Sequence, residues 1–165
     1  MDGALGFNTF EKQDKVLVGL NGGMDAAVTV RILQEQGFAV QAALVHFAGM
    51  ADDAVETSQN AAKALDVPLH VIEAVDTAAD ELLKFQLLMQ TADKLDCRFI
   101  STGHYARVEQ DADECRLCVP EHAECDQTAL LKVLPQEILA RLILPLGEFD
   151  KESVQEIAQD IGCAE

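Results

Sequence analysis

The chain has little positive charge and no basic segment. Its 165 residues include 12 Lys and Arg against 29 Asp and Glu, which gives a formal net charge of -17. Charge of this sign repels polyanions over long range, and no run of Lys or Arg supplies a local basic patch. The composition therefore argues against a domain that holds an RNA through its phosphates without help.

Segments that would direct a chain to a membrane are also missing. The sequence has no N-terminal apolar stretch typical of a signal peptide, and no apolar run reaches the roughly 18 residues needed to span a bilayer. We therefore expect a cytoplasmic protein without membrane contact. In such a chain, five cysteines, an odd number, favour thiols or metal ligands over a disulfide framework.

Strand-like and helix-like segments alternate along the chain. The apolar spacing predicts strands at 16–20, 40–47, 69–72 and 98–101, and helices at 26–36, 53–65, 77–95 and about 154–161. Hydrophobic content of 49% supports one core, so residues 1–165 are expected to form a single domain. The alternation predicts an α/β fold, a three-layer doubly wound sandwich with a mostly parallel sheet.

One stretch departs from this alternation. Residues 109–126 contain seven acidic side chains against the single Arg116, with Pro120 inside the stretch. Such a composition is typical of solvated connecting segments. We expect an acidic loop or hairpin excursion over 109–126.

A pair of glycines follows the first predicted strand. Gly22 and Gly23 allow the backbone amides to approach an anion closely, and the N-terminus of the next helix directs its unpaired N–H groups to the same place. Asp25 would repel a phosphate there unless a cation such as Mg²⁺ lay between them. The pattern predicts a metal-bridged nucleotide site. The alternative is a Gly-Gly turn with Asp25 as the helix N-cap.

A second polar segment follows a later predicted strand. Ligands of open parallel sheets bind beyond the carboxyl ends of the strands, where the strand order reverses. Residues 101–107 would meet the glycine pair there: Gly103 permits close backbone approach, His104 offers a titratable donor and Arg107 a fixed cation. The alternative is that His104 caps the end of the sheet and Arg107 pairs with a local acid.

Together these segments resemble a known enzyme family. The sequence LNGGMDA at 20–26 is similar to the SGGxDS signature of the PP-loop ATP pyrophosphatases, which have the adenine nucleotide alpha hydrolase-like fold. STGHYARV at 101–108 resembles the ATGHYARV segment of bacterial tRNA-specific 2-thiouridylases. DQT at 126–128 and LPLGEFDK at 144–151 resemble that family's DQS and FPLGELTK. Four similar motifs in the family's order span most of the chain.

The resemblance implies ATP-dependent insertion of sulfur into a wobble uridine of tRNA. In that reaction the base carbonyl is adenylated with release of pyrophosphate, and a cysteine persulfide delivers sulfur. Asp25 would lie near Mg²⁺ and the phosphates, and Asp25 and His104 are the predicted catalytic residues. By the resemblance, His104 and the segment Cys125-Asp126-Gln127 match positions that approach tRNA, and Arg107 is a further candidate for substrate contact. The residues assigned to ATP are Gly19, Leu20, Asn21, Gly22, Gly23, Asp25, Ala26, Val45 and Gly103.

The chain also departs from the family pattern. Asn21 and Ala26 replace the two serines of SGGxDS, and alanine has no hydroxyl to donate; a lost charge-assisted hydrogen bond to phosphate costs on the order of 1.5 to 3 kcal/mol. Residues 72–96, where the family carries a cysteine-containing insertion, hold no Cys, Pro or Asn. The family's second cysteine and its C-terminal domains are expected to be missing as well, so the chain would be a degenerate and truncated relative.

Two functions therefore remain open at this point. In the first, the chain is an ATP-binding enzyme or enzyme subunit that acts in tRNA thiolation or sulfur transfer. Another chain or domain would then bind the tRNA, and a sulfur-carrier protein would be a candidate partner. The alternative is a catalytically degenerate regulatory or protein-interaction module that binds an adenine nucleotide or no nucleotide. Either could form a homo-oligomer.

The remaining cysteines suggest a separate chemistry. Cys115 and Cys118 form a C-x-x-C pair, and Cys125 follows seven residues later. Three thiolates could hold a metal, an iron–sulfur cluster or a transferred sulfur. The alternative is plain surface thiols that are sensitive to oxidation. Cys97, next to a predicted strand, is expected in the core.

Overall fold

A computed structural model gives the architecture and describes residues 15–20, 24–47, 49–50, 53–74, 81–111, 114–122 and 126–161. In chain order the elements are β1 (Lys15–Gly19), α1 (Met24–Glu35), β2 (Ala39–Phe47), α2 (Ala54–Leu65), β3 (Leu69–Ala74), α3 (Glu81–Lys94), β4 (Phe99–Ser101), β5 (Arg107–Asp111), β6 (Glu114–Cys118), α4 (Thr128–Leu131), α5 (Gln136–Leu139), β7 (Leu142–Ile143), a 3-10 helix (Pro145–Glu148) and α6 (Lys151–Asp160).

Five strands form one parallel sheet in the order β3-β2-β1-β4-β7. Successive residues of β1 point to opposite faces. Val16 and Val18 pack with α1 and α2, whereas Leu17 packs with Phe85 and Leu88 of α3. Helices therefore cover both faces, which confirms the predicted three-layer α/β sandwich. The chain moves outward from β1 through β2 to β3 and then returns to β4 on the other side of β1, so the strand order reverses between β1 and β4.

The helix predictions are largely confirmed. The buried residues of α2 are the small-residue stripe expected from its spacing, and the helix ends at Asp66, which has a φ of 59°. Helix α1 begins two residues before the predicted start and is followed by Gly37, whose φ is 97°. A positive φ at this position suits glycine and terminates the helix. The predicted residues 77–80 of α3 lie outside the described residues.

The acidic stretch 109–126 contributes to an antiparallel hairpin of β5 and β6. One side of this hairpin is not solvated as expected, because Cys115 is buried and Leu117 packs against the same core cluster. The side chain of Gln136 in α5 holds Cys115 from both directions: Nε2 donates to the Cys115 carbonyl and Oε1 accepts from its amide, each at 2.7 Å. Helix α5 therefore fastens β6 to the domain.

Across the part of the chain that the structure describes, every helix is too short or too polar to cross a membrane.

Candidate functional site

The carboxyl end of β4 touches the first turn of α1 beside the point of strand reversal. A Cβ built on Gly103 would lie 2.8 Å from both the Ala26 amide nitrogen and the Asp25 carbonyl carbon. Both are backbone atoms that cannot rotate away, so position 103 requires glycine. The sequence predicted close backbone approach at Gly103, and the described partner in this approach is α1. Glycine also places no side chain of residue 103 over the Ala26 amide, one of the first N–H groups of the helix.

Asp25 is the second residue of α1 and lies inside the first turn, not at the N-cap position of the alternative interpretation. Its Oδ1 accepts a hydrogen bond of 3.2 Å from the Tyr105 hydroxyl. Its carbonyl accepts a second one of 2.9 Å from the Thr29 hydroxyl, one turn further along the helix. The Tyr105 hydroxyl therefore anchors the half-buried Asp25 carboxylate at the positive end of the helix dipole, and the Thr29 hydroxyl bonds only the Asp25 backbone.

Tyr105 connects this acid to the segment at 126–128. Its amide donates to Oε1 of Gln127 at 2.9 Å, and its carbonyl accepts from the Gln127 amide at 3.0 Å. Sequence reasoning assigned no role to Tyr105. The available signal was that it is the single tyrosine of the chain and lies within the GHYAR segment.

His104 points toward the opposite face of the sheet. It is 9% exposed, its Nδ1 lies 2.7 Å from the Thr102 hydroxyl, and its ring centroid lies 6.0 Å from that of Phe85 in α3. These contacts match the alternative in which His104 closes the end of the sheet. Its contact with a substrate stays a prediction.

Arg107 and Asp126 also have local partners. Arg107 Nε donates to the Val119 carbonyl at 2.8 Å, and its guanidinium pairs with Glu109 at 3.3 Å. Asp126 Oδ1 accepts from the amide and the hydroxyl of Thr128, at 2.9 and 2.7 Å, and these hydrogen bonds lower the pKa of the exposed Asp126 carboxyl. Asp126 therefore stabilises the start of α4.

Of the other residues assigned to ATP, some lie in or next to the sheet and at the start of α1, and the rest lie outside the described residues. Ala26 is 4% exposed, Val45 is buried on the α3 side of the sheet, and buried Leu20 donates from its amide to the Ala43 carbonyl at 2.8 Å. A Cβ on Gly19 would lie 3.1 Å from the side chain of Leu88. Asn21, Gly22, Gly23 and Cys125 lie outside the described residues.

The LPLG segment at 144–147 packs against Tyr105 and Ala106, next to the site. Leu146 is fully buried in the cluster that surrounds Tyr105. A Cβ on Gly147 would overlap the carbonyl oxygen of Ala106, so glycine is required where the 3-10 helix crosses this strand connection. The motif therefore holds the segment that presents Tyr105 to α1.

The C-x-x-C pair lies within strand β6. Cys115 is 8% exposed and packs in the core, while Cys118 is half-buried, with its Sγ 3.8 Å from the Arg116 carbonyl. Residues three apart in a strand point to opposite faces. Among the described residues, no group of three or more His, Cys, Asp or Glu side chains is placed to hold a metal ion. A metal or cluster that includes Cys125, which lies outside the described residues, stays a prediction.

Cys97 is buried next to β4, as the sequence predicted. Desolvation by burial raises the pKa of its thiol, which opposes formation of the reactive thiolate.

Comparison with known proteins identifies the family. The family model described as tRNA methyl transferase HUP domain matches residues 75–164. The chain belongs to this family. It is 34% identical over 182 residues to the tRNA-specific 2-thiouridylase MnmA of Treponema denticola, covering 90% of this chain and 50% of that protein. It is 29% identical over 183 residues to the MnmA of Clostridium perfringens, covering 90% and 51%. The chain thus spans about half the length of the curated relatives it matches.

Solved structures agree on the fold. A 4-thiouridine synthetase in complex with RNA and bound ATP matches with a TM-score of 0.66 and 18% identity, over 91% of this chain and 41% of that one. The U34-tRNA thiolase NcsA of Methanococcus maripaludis, solved with its [4Fe-4S] cluster, matches with a TM-score of 0.57 and 14% identity, over 94% and 59%. The resemblance drawn from the four motifs to the PP-loop fold and to the 2-thiouridylases is confirmed.

Proposed function

We propose that this chain binds Mg·ATP where α1 meets β4 and acts as the adenylating domain of a tRNA-thiolating enzyme. The observation that carries the proposal is the convergence of Gly103 on the backbone of Asp25 and Ala26, at the point of strand reversal. Ligands of doubly wound sheets bind at this position. The relationship to 2-thiouridylases supports the choice of nucleotide.

The residues present fit a polyphosphate bridged by a divalent cation. Helix α1 has twelve residues and directs its first unpaired N–H groups to this edge of the sheet. Position 103 adds no side chain beside the Ala26 amide, and Asp25 supplies a carboxylate oxygen, the ligand type that Mg²⁺ prefers. We assign the phosphates to the start of α1 and the cation to Asp25.

Bound ATP would supply the adenylyl group, which is transferred to the carbonyl oxygen of a base as pyrophosphate leaves. The amides at the start of α1 stabilise the negative charge that develops on the departing phosphates. The Asp25 carboxylate would hold the cation, and its hydrogen bond to Tyr105 orients the carboxylate for that role.

We further propose that tRNA binding and sulfur delivery need another chain or domain. The net charge of -17 disfavours a tRNA grip by this chain alone. Of the described cysteines, Cys97 and Cys115 are buried, which makes both poor persulfide carriers. The proposed donor is a protein that carries a cysteine persulfide.

The first test is calorimetric titration of the chain with Mg·ATP and with AMP. Asp25→Ala is expected to weaken Mg·ATP binding by about tenfold, because one charge-assisted contact is lost. Gly23→Val is expected to abolish binding by blocking backbone approach to the phosphates. Asp160→Ala removes an exposed acid at the end of α6 and is the matched control, with unchanged affinity. The proposal fails if the intact chain binds neither nucleotide, or if Asp25→Ala binds Mg·ATP as tightly as the intact chain.

A second candidate function is a nucleotide-binding regulatory module without catalysis. It is favoured by Ala26, which is 4% exposed at the start of α1 and lacks the hydroxyl expected at this position from the resemblance. Exchange of labelled pyrophosphate into ATP, measured with tRNA and a persulfide-bearing protein present, separates the two functions. Exchange supports adenylation, whereas tight Mg·ATP binding without exchange supports the regulatory module.

A further inference from the structure

We infer that Tyr105 is a positioning residue that couples the DQT segment, residues 126–128, to the carboxylate of Asp25. The inference rests on the proposed Mg·ATP site. It adds that a displacement of the DQT segment changes the orientation of the Asp25 carboxylate, which is the proposed metal ligand. It concerns the orientation of the carboxylate, and Tyr105 itself is not expected to touch the nucleotide.

The side chain of Tyr105 is held rigidly. It is fully buried in a cluster with α1, α6 and the 3-10 helix, formed by Val28, Ile32, Leu146, Val154 and Ala158. The ammonium of Lys151 lies 5.9 Å from the centroid of its ring. A ring packed on all sides has one rotamer available. The hydroxyl is therefore delivered to a fixed point, 3.2 Å from Asp25 Oδ1.

The backbone of Tyr105 is held just as closely, by one residue. Gln127 accepts from the Tyr105 amide through its side chain and donates to the Tyr105 carbonyl through its own amide. Next to it, Asp126 is tied to Thr128 at the start of α4. Gln127 of the DQT segment thus forms hydrogen bonds with both the backbone amide and the backbone carbonyl of Tyr105.

These contacts form a continuous connection from Gln127 through Tyr105 to Asp25, although Tyr105 and Asp25 are 80 positions apart in the sequence. Holding Oδ1 also sets the direction of the second carboxylate oxygen, Oδ2. A cation bound at Asp25 then meets an acid that is already oriented and does not lose the entropy of ordering it. By linkage, whatever displaces the DQT segment changes affinity for the metal-bound nucleotide, and the effect is reciprocal.

The test is Tyr105→Phe, which removes the hydroxyl and keeps the ring. Affinity for Mg·ATP is expected to fall by about fivefold, less than for Asp25→Ala because the carboxylate stays and loses only its fixed orientation, while affinity for ATP without Mg²⁺ changes by less than about twofold. A purely structural role would lower both affinities alike. Thr29→Val is the matched control: it removes a hydroxyl bonded to the Asp25 carbonyl instead of the carboxylate, and is expected to leave the metal dependence unchanged.

Variants at Gln127 test the coupling. Gln127→Ala is expected to weaken Mg·ATP binding. Gln127→Glu keeps an acceptor for the Tyr105 amide and is expected to bind Mg·ATP as tightly as the intact chain. If Gln127 acts through Tyr105, the double variant Tyr105→Phe, Gln127→Ala binds no more weakly than Tyr105→Phe alone. Additive losses would overturn the coupling.

Fluorescence separates failure of this inference from failure of the proposed function. The chain has one tyrosine and no tryptophan, so tyrosine emission reports on Tyr105 alone. Because a carboxylate acceptor quenches tyrosine emission, Asp25→Asn is expected to increase it without any nucleotide. Unchanged emission in Asp25→Asn overturns the Tyr105–Asp25 contact. Increased emission in a chain that does not bind Mg·ATP supports the contact and refutes the proposed nucleotide site.

Discussion

In one region of this molecule residues distant in sequence are in contact, and in another region residues close in sequence point to different environments. At the edge between α1 and β4, Tyr105 and Asp25 are 80 positions apart and share a hydrogen bond. In the β5–β6 hairpin, Cys115 and Cys118 are three positions apart, and one packs in the core while the other lies half-buried on the opposite face.

The difference shows that the spacing of a motif predicts which side chains lie together only when the secondary structure of the motif is known. In a turn, a C-x-x-C pair can place two thiols on one ion, but in a strand the period of two separates them. The GHYAR segment follows a strand that ends at the switch point, so Gly103 and Tyr105 meet α1 although they are distant from it in the sequence.

The largest expected effect is that of Gly103→Val, which tests the convergence. The new side chain would meet backbone atoms of Asp25 and Ala26 that cannot move away. We expect a loss of about 3 kcal/mol in the free energy of unfolding, measured by denaturant titration, and no Mg·ATP binding. Gly37→Asn is the control, because position 37 has nothing within 4 Å and asparagine tolerates a positive φ. Native stability of Gly103→Val would contradict this contact.

An intermediate effect is expected in the hairpin from Cys115→Ser. It places a hydroxyl in an apolar, buried setting and is expected to cost about 1 to 3 kcal/mol of unfolding free energy. Cys118→Ser, on the other face, is the matched control, with a change below about 0.5 kcal/mol. Chemical denaturation of both variants decides the comparison. Equal losses would show that the two thiols share one environment, as a common metal site would require.

The smallest effect is expected from Asp126→Ala, which tests whether the DQT segment is anchored by charge. Hydrogen bonds from Thr128 lower the pKa of Asp126 in the folded chain below the ordinary aspartate value of 3.8. A lowered folded pKa stabilises the fold above pH 3.8, and that stabilisation is lost as the pH falls through the folded value. Thermal melts should show a deficit for Asp126→Ala near neutral pH that disappears in acid. Asp126→Asn keeps an acceptor for Thr128 but also lacks the titrating carboxyl, so it should show a smaller deficit at neutral pH with the same dependence on pH.

Much of the fold could be predicted because it depends on local periodicity. The small-residue stripe of α2 and the termination of α1 at Gly37 both follow from spacing within one element. The position of Gly103 near α1 followed from the alternation of strands and helices together with the rule for switch points. The half-buried hairpin could not be predicted from its acidic composition, because its contact with Gln136 joins residues 21 positions apart.

The candidate site divides in the same way. The sequence determined which residue types are present at the end of each strand, including Asp25, Gly103 and Gln127, since these belong to recognisable local segments. Only the tertiary structure decided that Tyr105 links Gln127 to Asp25, that His104 turns toward Phe85, and that Cys115 faces the core. Local patterns record how a side chain is oriented within its own helix or strand. Contacts between distant segments depend instead on the order of strands in the sheet and on the packing of helices against it, which no single segment encodes.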